Sequence, residues 1–223
     1  MKVLQFSGGI DSLACLELLK NERGLHVVTV STDGSYPERD EYLRQVADRH
    51  PHIPFMTVKS DRDLPQYGQP VDVVPMRFTG LGNMIEGTPV KYQNAFECCA
   101  RGFWWPMADT MARMGATTVY RGQRDDDLIK SPIQDGYVDG AITYRFPIKS
   151  WTRRQVENFV KAKCPDLVPE YYSKELTSRD CWDCTAYLRD NVARIRNLPH
   201  EQRIKISSIL EEWRRDVNDE TRW

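Results

Sequence analysis

No run of apolar residues in this sequence approaches the ~20 needed to cross a bilayer. The opening MKVLQF reads directly as a strand rather than a signal peptide, so a cytoplasmic protein is expected. Net charge is nearly absent as well: 31 basic residues face 32 acidic ones, leaving −1. No global field therefore draws the chain onto nucleic acid or an anionic membrane, and any polyanion site must be local. Internal repeats and low-complexity tracts are missing, which excludes repeat architectures. Histidine is scarce, and His26, His50, His52 and His200 fall at no ligand or triad spacing. At 223 residues the chain suffices for one α/β core and is short for two independent domains, so one domain with a C-terminal appendage is expected.

What the sequence does contain begins at FSGGIDS, residues 6–12. KVLQ before it suits a buried strand, and Leu13, Leu16 and Leu19 after it recur at helical spacing. Two glycines at a strand-to-helix turn let the backbone approach an anion, and the N–H groups of the first helical turn point at it with the positive end of the helix dipole. No lysine follows the glycines, so the GxxxxGK[ST] kinase and GTPase loop is excluded. An ordinary glycine turn capped by Asp11 or Ser12 would use the same residues.

Further along, LHVVTVSTDG reads as a β-branched strand ending in a turn, PERDEYLRQVADRH as a helix and IPFMTVK as a third strand. This alternation predicts a Rossmann-like, doubly wound parallel sheet with helices on both faces and ligands at the C-terminal strand ends. Residues 60–95 lack periodicity and read as a functional lid or mobile insertion. From Cys98 a helical pattern returns, interrupted at Pro106; ATTVYRG and ITYRFPI read as strands, and WTRRQVENFVKAK as a helix. After Pro199, Ile206, Ile209, Trp213 and Val217 form one helical stripe, read as core or a docking face.

Six cysteines in such a chain suggest metal ligands, catalytic groups or buried thiols rather than disulfides. Cys15 and Cys164 lie in structural settings. Cys98 and Cys99 are adjacent, and Cys181 and Cys184 form a CxxC. Neighbouring Cα atoms are only ~3.8 Å apart, which suits a disulfide poorly. An iron–sulfur cube accepts a thiolate at each corner, zinc prefers spaced knuckles, and free or transient thiols are the third option.

CCARGFWWP followed by CWDC resembles the arrangement of iron–sulfur adenylyl-sulfate reductases, within the broader PAPS-reductase-like group of PP-loop ATP pyrophosphatases, whose pyrophosphate loop SGGIDS also resembles. STDGSYPE is similar to the family's D-T-G-x-x-x-P-E turn, RGQRDDD to its G-x-R-x-x-E-S segment, and FPIKSWTRRQVENFV to its P-l-x-x-W-t-x-x-D-V-W helix entry. The resemblance implies an adenine nucleotide alpha hydrolase type of fold over residues 1–188, with 189–223 as a helical extension. It also implies ATP on Ser7, Gly8, Gly9, Asp11 and Ser12, with Mg2+ bridging phosphates, and adenosine near Thr32, Asp33 and Gly34. Asp11 and Arg124 are the candidate catalytic groups. Arg121 and Arg124, with Lys149, Arg153 and Arg154, are candidates for a cationic wall, and Cys98, Cys99, Cys181 and Cys184 for a 4Fe-4S iron–sulfur cluster, with zinc as the alternative.

Two departures direct the functional reading. The reductases' C-terminal E-C-G-x-H thiol has no counterpart, since no cysteine follows Cys184, and the pyrophosphate loop is intact where theirs is degenerate. Both favour cleavage of ATP to an adenylated intermediate and pyrophosphate, serving sulfur transfer or nucleotide modification. A sulfonucleotide reductase supplied with a thiol or electrons by a partner protein is the second reading. A nucleotide-sensing subunit docking through its C-terminal helix is the third. The acceptor and any homo-oligomer are left open.

Overall fold

Val3 and Leu4 of β1 (Lys2–Gln5) and Val27 and Val28 of β2 (Leu25–Thr32) have no exposed surface, as strands covered on both faces require. They lie in a computed structural model that describes residues 1–127, 131–168 and 181–220. β3 is Phe55–Ser60, β6 Thr118–Tyr120, β7 Val138–Asp139 and β8 Ile142–Arg145. The six form one sheet in the order β3-β2-β1-β6-β8-β7. β1 runs parallel to β2 and β6, β6 runs parallel to β8, and β7 returns antiparallel on β8. In register, Leu4 faces Val27 on one side and Tyr120 on the other.

The chain builds this sheet outward from β1 through β2 to β3 and then resumes on the other side of β1 with β6. β1 is therefore the topological switch point, where open parallel sheets of this kind bind ligands at their C-terminal edge. The loop at residues 6–9 leaves β1 at that edge, and RGQRDDD leaves β6 beside it. The connecting helices are α1 (Ile10–Leu19), α2 (Arg39–Arg49), α6 (Trp105–Arg113) and α7 (Arg153–Lys163). Val3, Val28, Met111, Ala116 and Val119 form one buried cluster, each such aliphatic side chain being worth about 1.5–3 kcal/mol.

By contacts the chain divides into two compact units. The first comprises Met1–Ser31, Pro37–Lys59 and Trp105–Glu170; the second comprises Thr32–Tyr36, Ser60–Trp104 and Tyr171–Trp223. The sheet belongs to the first. Residues 60–95, read as a lid without periodicity, are built instead from short pieces in the second unit. These are α3 (Leu64–Tyr67), β4 (Gln69–Val71), a 3-10 turn at Met76–Phe78, α4 (Gly80–Glu86) and β5 (Tyr92–Asn94), with β4 and β5 paired in parallel. Elements this short leave no sequence period to read. Next come α5 (Ala95–Cys99), a π-helical turn at Ala100–Trp104, and α6. The break falls ahead of Pro106, which has no N–H to donate to the preceding turn.

α8 (Leu188–Arg196) and α9 (His200–Glu220) complete the second unit. The stripe read as core or a docking face is core at Ile206, and Trp213 is also engaged within the unit. Ile206 is wholly buried in a cluster with Tyr36, Ile195 and Leu198. Trp213 Nε1 donates to Val73 O at 2.8 Å, and Lys91 reaches Glu212 and Asp216 at 2.8 and 3.0 Å. Among the described residues no helix is long and apolar enough to cross a membrane.

α7 begins with a full capping box: Thr152 accepts from Gln155 N, and the Gln155 side chain accepts from Thr152 N. Thr152→Ala is expected to lower stability by ~1 kcal/mol in urea denaturation, with Thr152→Ser restoring most of it.

Candidate functional site

In the first unit, Gly8 takes φ +85, a left-handed conformation that favours glycine. Gly9 follows at the N-cap of α1 and leaves that end without a side-chain cap. Neither residue that could cap an ordinary glycine turn does so. Ser12 Oγ donates back to Gly9 O at 2.8 Å, and Asp11 turns to Arg124. Ser7 Oγ accepts from Gly9 N at 3.3 Å and lies 3.3 Å from Ser12 Oγ, closing the loop on itself. An uncapped helix end behind two glycines is the local form of a phosphate cradle.

Arg124, assigned from sequence to the nucleotide, is 7% exposed and ringed by carboxylates. Its Nε lies 2.7 Å from Asp11 Oδ1, its Nη2 lies 2.7 Å from Asp127 Oδ1, and its Nη1 pairs with Asp126. The segment it belongs to is pressed against α1: a Cβ on Gly122 would come within 2.8 Å of the Asp11 backbone. Arg124 thus locks RGQRDDD to the helix start. Burial pushes the Asp11 carboxyl up to about 6, against the pull of Arg124 and with Asp127 adding to the rise.

Arg153 stays beside this group: its backbone N–H donates to Asp126 Oδ2 at 3.1 Å and its charge opposes the rise at Asp11, while its side chain pairs with Glu157 along α7 at 2.9 Å. Arg121 reaches Ser131 Oγ at 3.4 Å and lies over the Phe146 ring; among the described residues it has no carboxylate partner, and burial pulls its guanidinium below the usual range. Sequence reasoning missed Arg39, only 8% exposed, whose Nη1 donates to Ser7 O at 2.7 Å while Nη2 donates to Thr29 Oγ1 and Val30 O, both at 3.1 Å. The available signal was a cation in the first turn of a helix, where the dipole disfavours it.

In the second unit, Thr32, Asp33 and Gly34 join the cysteines. Arg62, 1% exposed, makes two forks: Nε and Nη2 to Asp33 at 2.8 and 3.0 Å, and Nη1 and Nη2 to Asp183 at 2.8 and 3.0 Å. Asp183 stands inside the CxxC. A Cβ on Gly34 would fall 2.2 Å from the Arg62 guanidinium and 2.4 Å from Asp183, so glycine is required there for space. Trp182 N donates to Gly34 O at 3.0 Å, and Thr32 Oγ1 is 3.5 Å from Cys181 Sγ. From the other side Arg194 donates to the carbonyls of Cys181, Trp182 and Cys184 at 2.6–3.2 Å. Neither Arg62 nor Arg194 carries a motif that sequence could flag.

Cys98 is buried at the end of α5, and Cys99 Sγ lies 3.8 Å from Tyr187 Oη. Burial pushes the Cys98 thiol up to about 12, with Cys99 and Cys184 adding to the rise and Arg62 opposing it. Burial also raises Cys184, against Arg194 and Arg62. The paired cysteines and the CxxC therefore share one neighbourhood around Arg62. No disulfide joins them. Among the described residues no three Cys, His, Asp or Glu side chains stand as a ready set of metal ligands. Cys15 and Cys164 are wholly buried in the first unit.

The profile of the phosphoadenosine phosphosulfate reductase domain matches residues 2–187. Among solved structures, phosphoadenylyl-sulfate (PAPS) reductase from Candida auris, a phosphate complex, is similar in fold, with a TM-score of 0.56 over 82% of each chain at 16% identity. A predicted subunit of tRNA methyltransferase from Methanocaldococcus jannaschii DSM gives a TM-score of 0.38 over 72% of this chain and 74% of that one at 14% identity, too distant a likeness to carry an argument. Among curated proteins none matches significantly. With the profile spanning most of the sequence and a doubly wound sheet beneath it, the chain belongs to the phosphoadenosine phosphosulfate reductase domain family.

Proposed function

We propose that this protein binds ATP with the β- and γ-phosphates on the loop from Ser7 to Ser12, and that it cleaves the nucleotide between the α- and β-phosphates. The single observation that carries the reading is the uncapped N-terminus of α1 behind Gly8 and Gly9 at the switch point of the sheet. An acceptor oxygen attacks the α-phosphorus, the bond to the bridging oxygen breaks, and pyrophosphate leaves with the electron pair. The loop amides and the Ser7 and Ser12 hydroxyls hold the departing phosphates in line, so that positioning and charge neutralisation carry the rate.

Asp11, Asp126 and Asp127 set three carboxylates against the one charge of Arg124; among the described residues they do not stand as a ready metal-ligand set, and carboxylate oxygen is the donor type that Mg2+ takes. When bound, Mg2+ would neutralise phosphate charge, with Asp11 as its ligand from the protein. The thiols of Cys98, Cys99, Cys181 and Cys184 suit iron or zinc in donor chemistry. Among the described residues they do not stand as a ready ligand set. We assign them as the residues that would hold a 4Fe-4S cluster, supported by their shared neighbourhood in the second unit. The family match supports a second reading, reduction of a sulfonucleotide with a thiol from a partner protein.

The expected outcome with ATP and an acceptor is pyrophosphate release; adenylyl sulfate and reductant giving sulfite instead would select the second reading. Asp11 gives a pH signature. Its folded value of about 6 exceeds the ordinary 3.8, so the folded state holds the extra proton, and this group's contribution to apo stability is lost as pH rises from about 4 through 6. Mg2+ requires the ionised form, so affinity for Mg-ATP should rise over the same window, and Asp11→Asn should flatten both curves. Anaerobically prepared protein should contain iron and acid-labile sulfide; stoichiometric zinc without either would reject the cluster.

A further inference from the structure

Arg39 is a buried cation without a counter-charge. Its three polar partners are Ser7 O, Thr29 Oγ1 and Val30 O, all formally neutral, and its Nε is buried with no hydrogen-bond partner. Among the described residues no carboxylate pairs with it. Taking a guanidinium out of water without a neutralising partner is costly, and such groups persist where a ligand completes them. Arg124 offers the contrast, with three carboxylates around one charge.

The location supplies the ligand. A Cβ added to Gly8 would lie 3.4 Å from Arg39 Nη1, so the guanidinium sits directly under the glycine bend. Arg39 draws the Ser7 carbonyl toward itself at 2.7 Å. In a trans peptide the C=O and the following N–H point in opposite directions, so this bond turns the Gly8 N–H away from Arg39. Gly8 is buried, and its N–H has no hydrogen-bond partner among the described residues. A buried, unpaired donor therefore faces outward from a bend whose underside carries an unneutralised positive charge. The donor calls for an anion on the face away from Arg39, and the positive charge beneath the bend adds its attraction there through the loop.

We infer that Arg39 is the residue that makes this loop specific for a pyrophosphate group. It holds the Ser7–Gly8 peptide with its donor outward and its acceptor inward, and it supplies the charge that Arg124, already neutralised, does not. The inference rests on the nucleotide reading above. Arg39 acts through the loop and is a positioning residue.

Titration calorimetry of the full chain with Mg-ATP, inorganic pyrophosphate and adenosine tests it, using wild type, Arg39→Met and Arg39→Lys. Arg39→Met should weaken pyrophosphate and ATP roughly 10- to 100-fold, the range for a hydrogen bond to a charged group, and leave adenosine within about twofold. Arg39→Lys, which keeps the charge and loses the fork, should fall between. Wild type that binds neither ATP nor pyrophosphate rejects the nucleotide reading itself. Wild type that binds both, with Arg39→Met unchanged or with ATP and adenosine weakened in parallel, overturns the role of Arg39 and leaves that reading standing. Should Arg39→Met not fold, the ATP-to-adenosine ratio of Arg39→Lys decides; if neither variant folds, the residue serves the core and the inference is overturned.

Discussion

A guanidinium removed from water must meet its N–H donors with oxygens in the plane of the group, and this requirement makes a buried arginine a rigid fork rather than a mobile charge. Four arginines are buried among the described residues: Arg39, Arg62, Arg124 and Arg194. Each joins segments far apart in sequence or fixes a loop with no regular hydrogen bonding of its own. Arg39 ties α2 to β2 and the glycine bend, Arg124 ties the segment after β6 to α1, and Arg62 and Arg194 grip the CxxC from two directions. These irregular segments are thus held by side-chain forks where backbone ladders are lacking.

The charges on these forks differ. Arg124 is over-neutralised by three aspartates, whereas Arg39 meets only neutral oxygens. Around the first turn of α1 the protein has therefore separated an acidic flank from a basic one. A nucleotide polyphosphate with its magnesium carries both signs and is complementary to that division. The elevated Asp11 value follows from burial first, with Asp127 adding to the rise and Arg124 opposing it.

Much of the first unit could be read from sequence because its signals are redundant. The Val-rich β2, the apolar helix after the glycines and the capped α7 each have a period or a terminus that only one structure satisfies. The second unit offered no such signals between residues 60 and 95, where strands of three residues and helices of four and seven are fixed by tertiary packing. At the site, the glycines and cysteines were legible as residue types. The arginines were not, because a single Arg in a helix or after a strand looks the same whether it is solvated or buried. Arg124 was legible as a site cation, but its carboxylate partners were not: Asp126 and Asp127, two and three residues further on, turn back to it.

The STDG turn is the sharpest case of a motif whose physical content differs from its resemblance. Gly34 leaves no space for a Cβ because Arg62 and Asp183 press against it, and Asp33 is spent on Arg62. Thr32 meets Cys181 and Trp182 N meets the Gly34 carbonyl, while Asp33 reaches the CxxC segment only through Arg62. The turn therefore works here as the seat of the cysteine loop. Asp33, Gly34 and Arg62 thereby bear on the placement of Asp183, between Cys181 and Cys184.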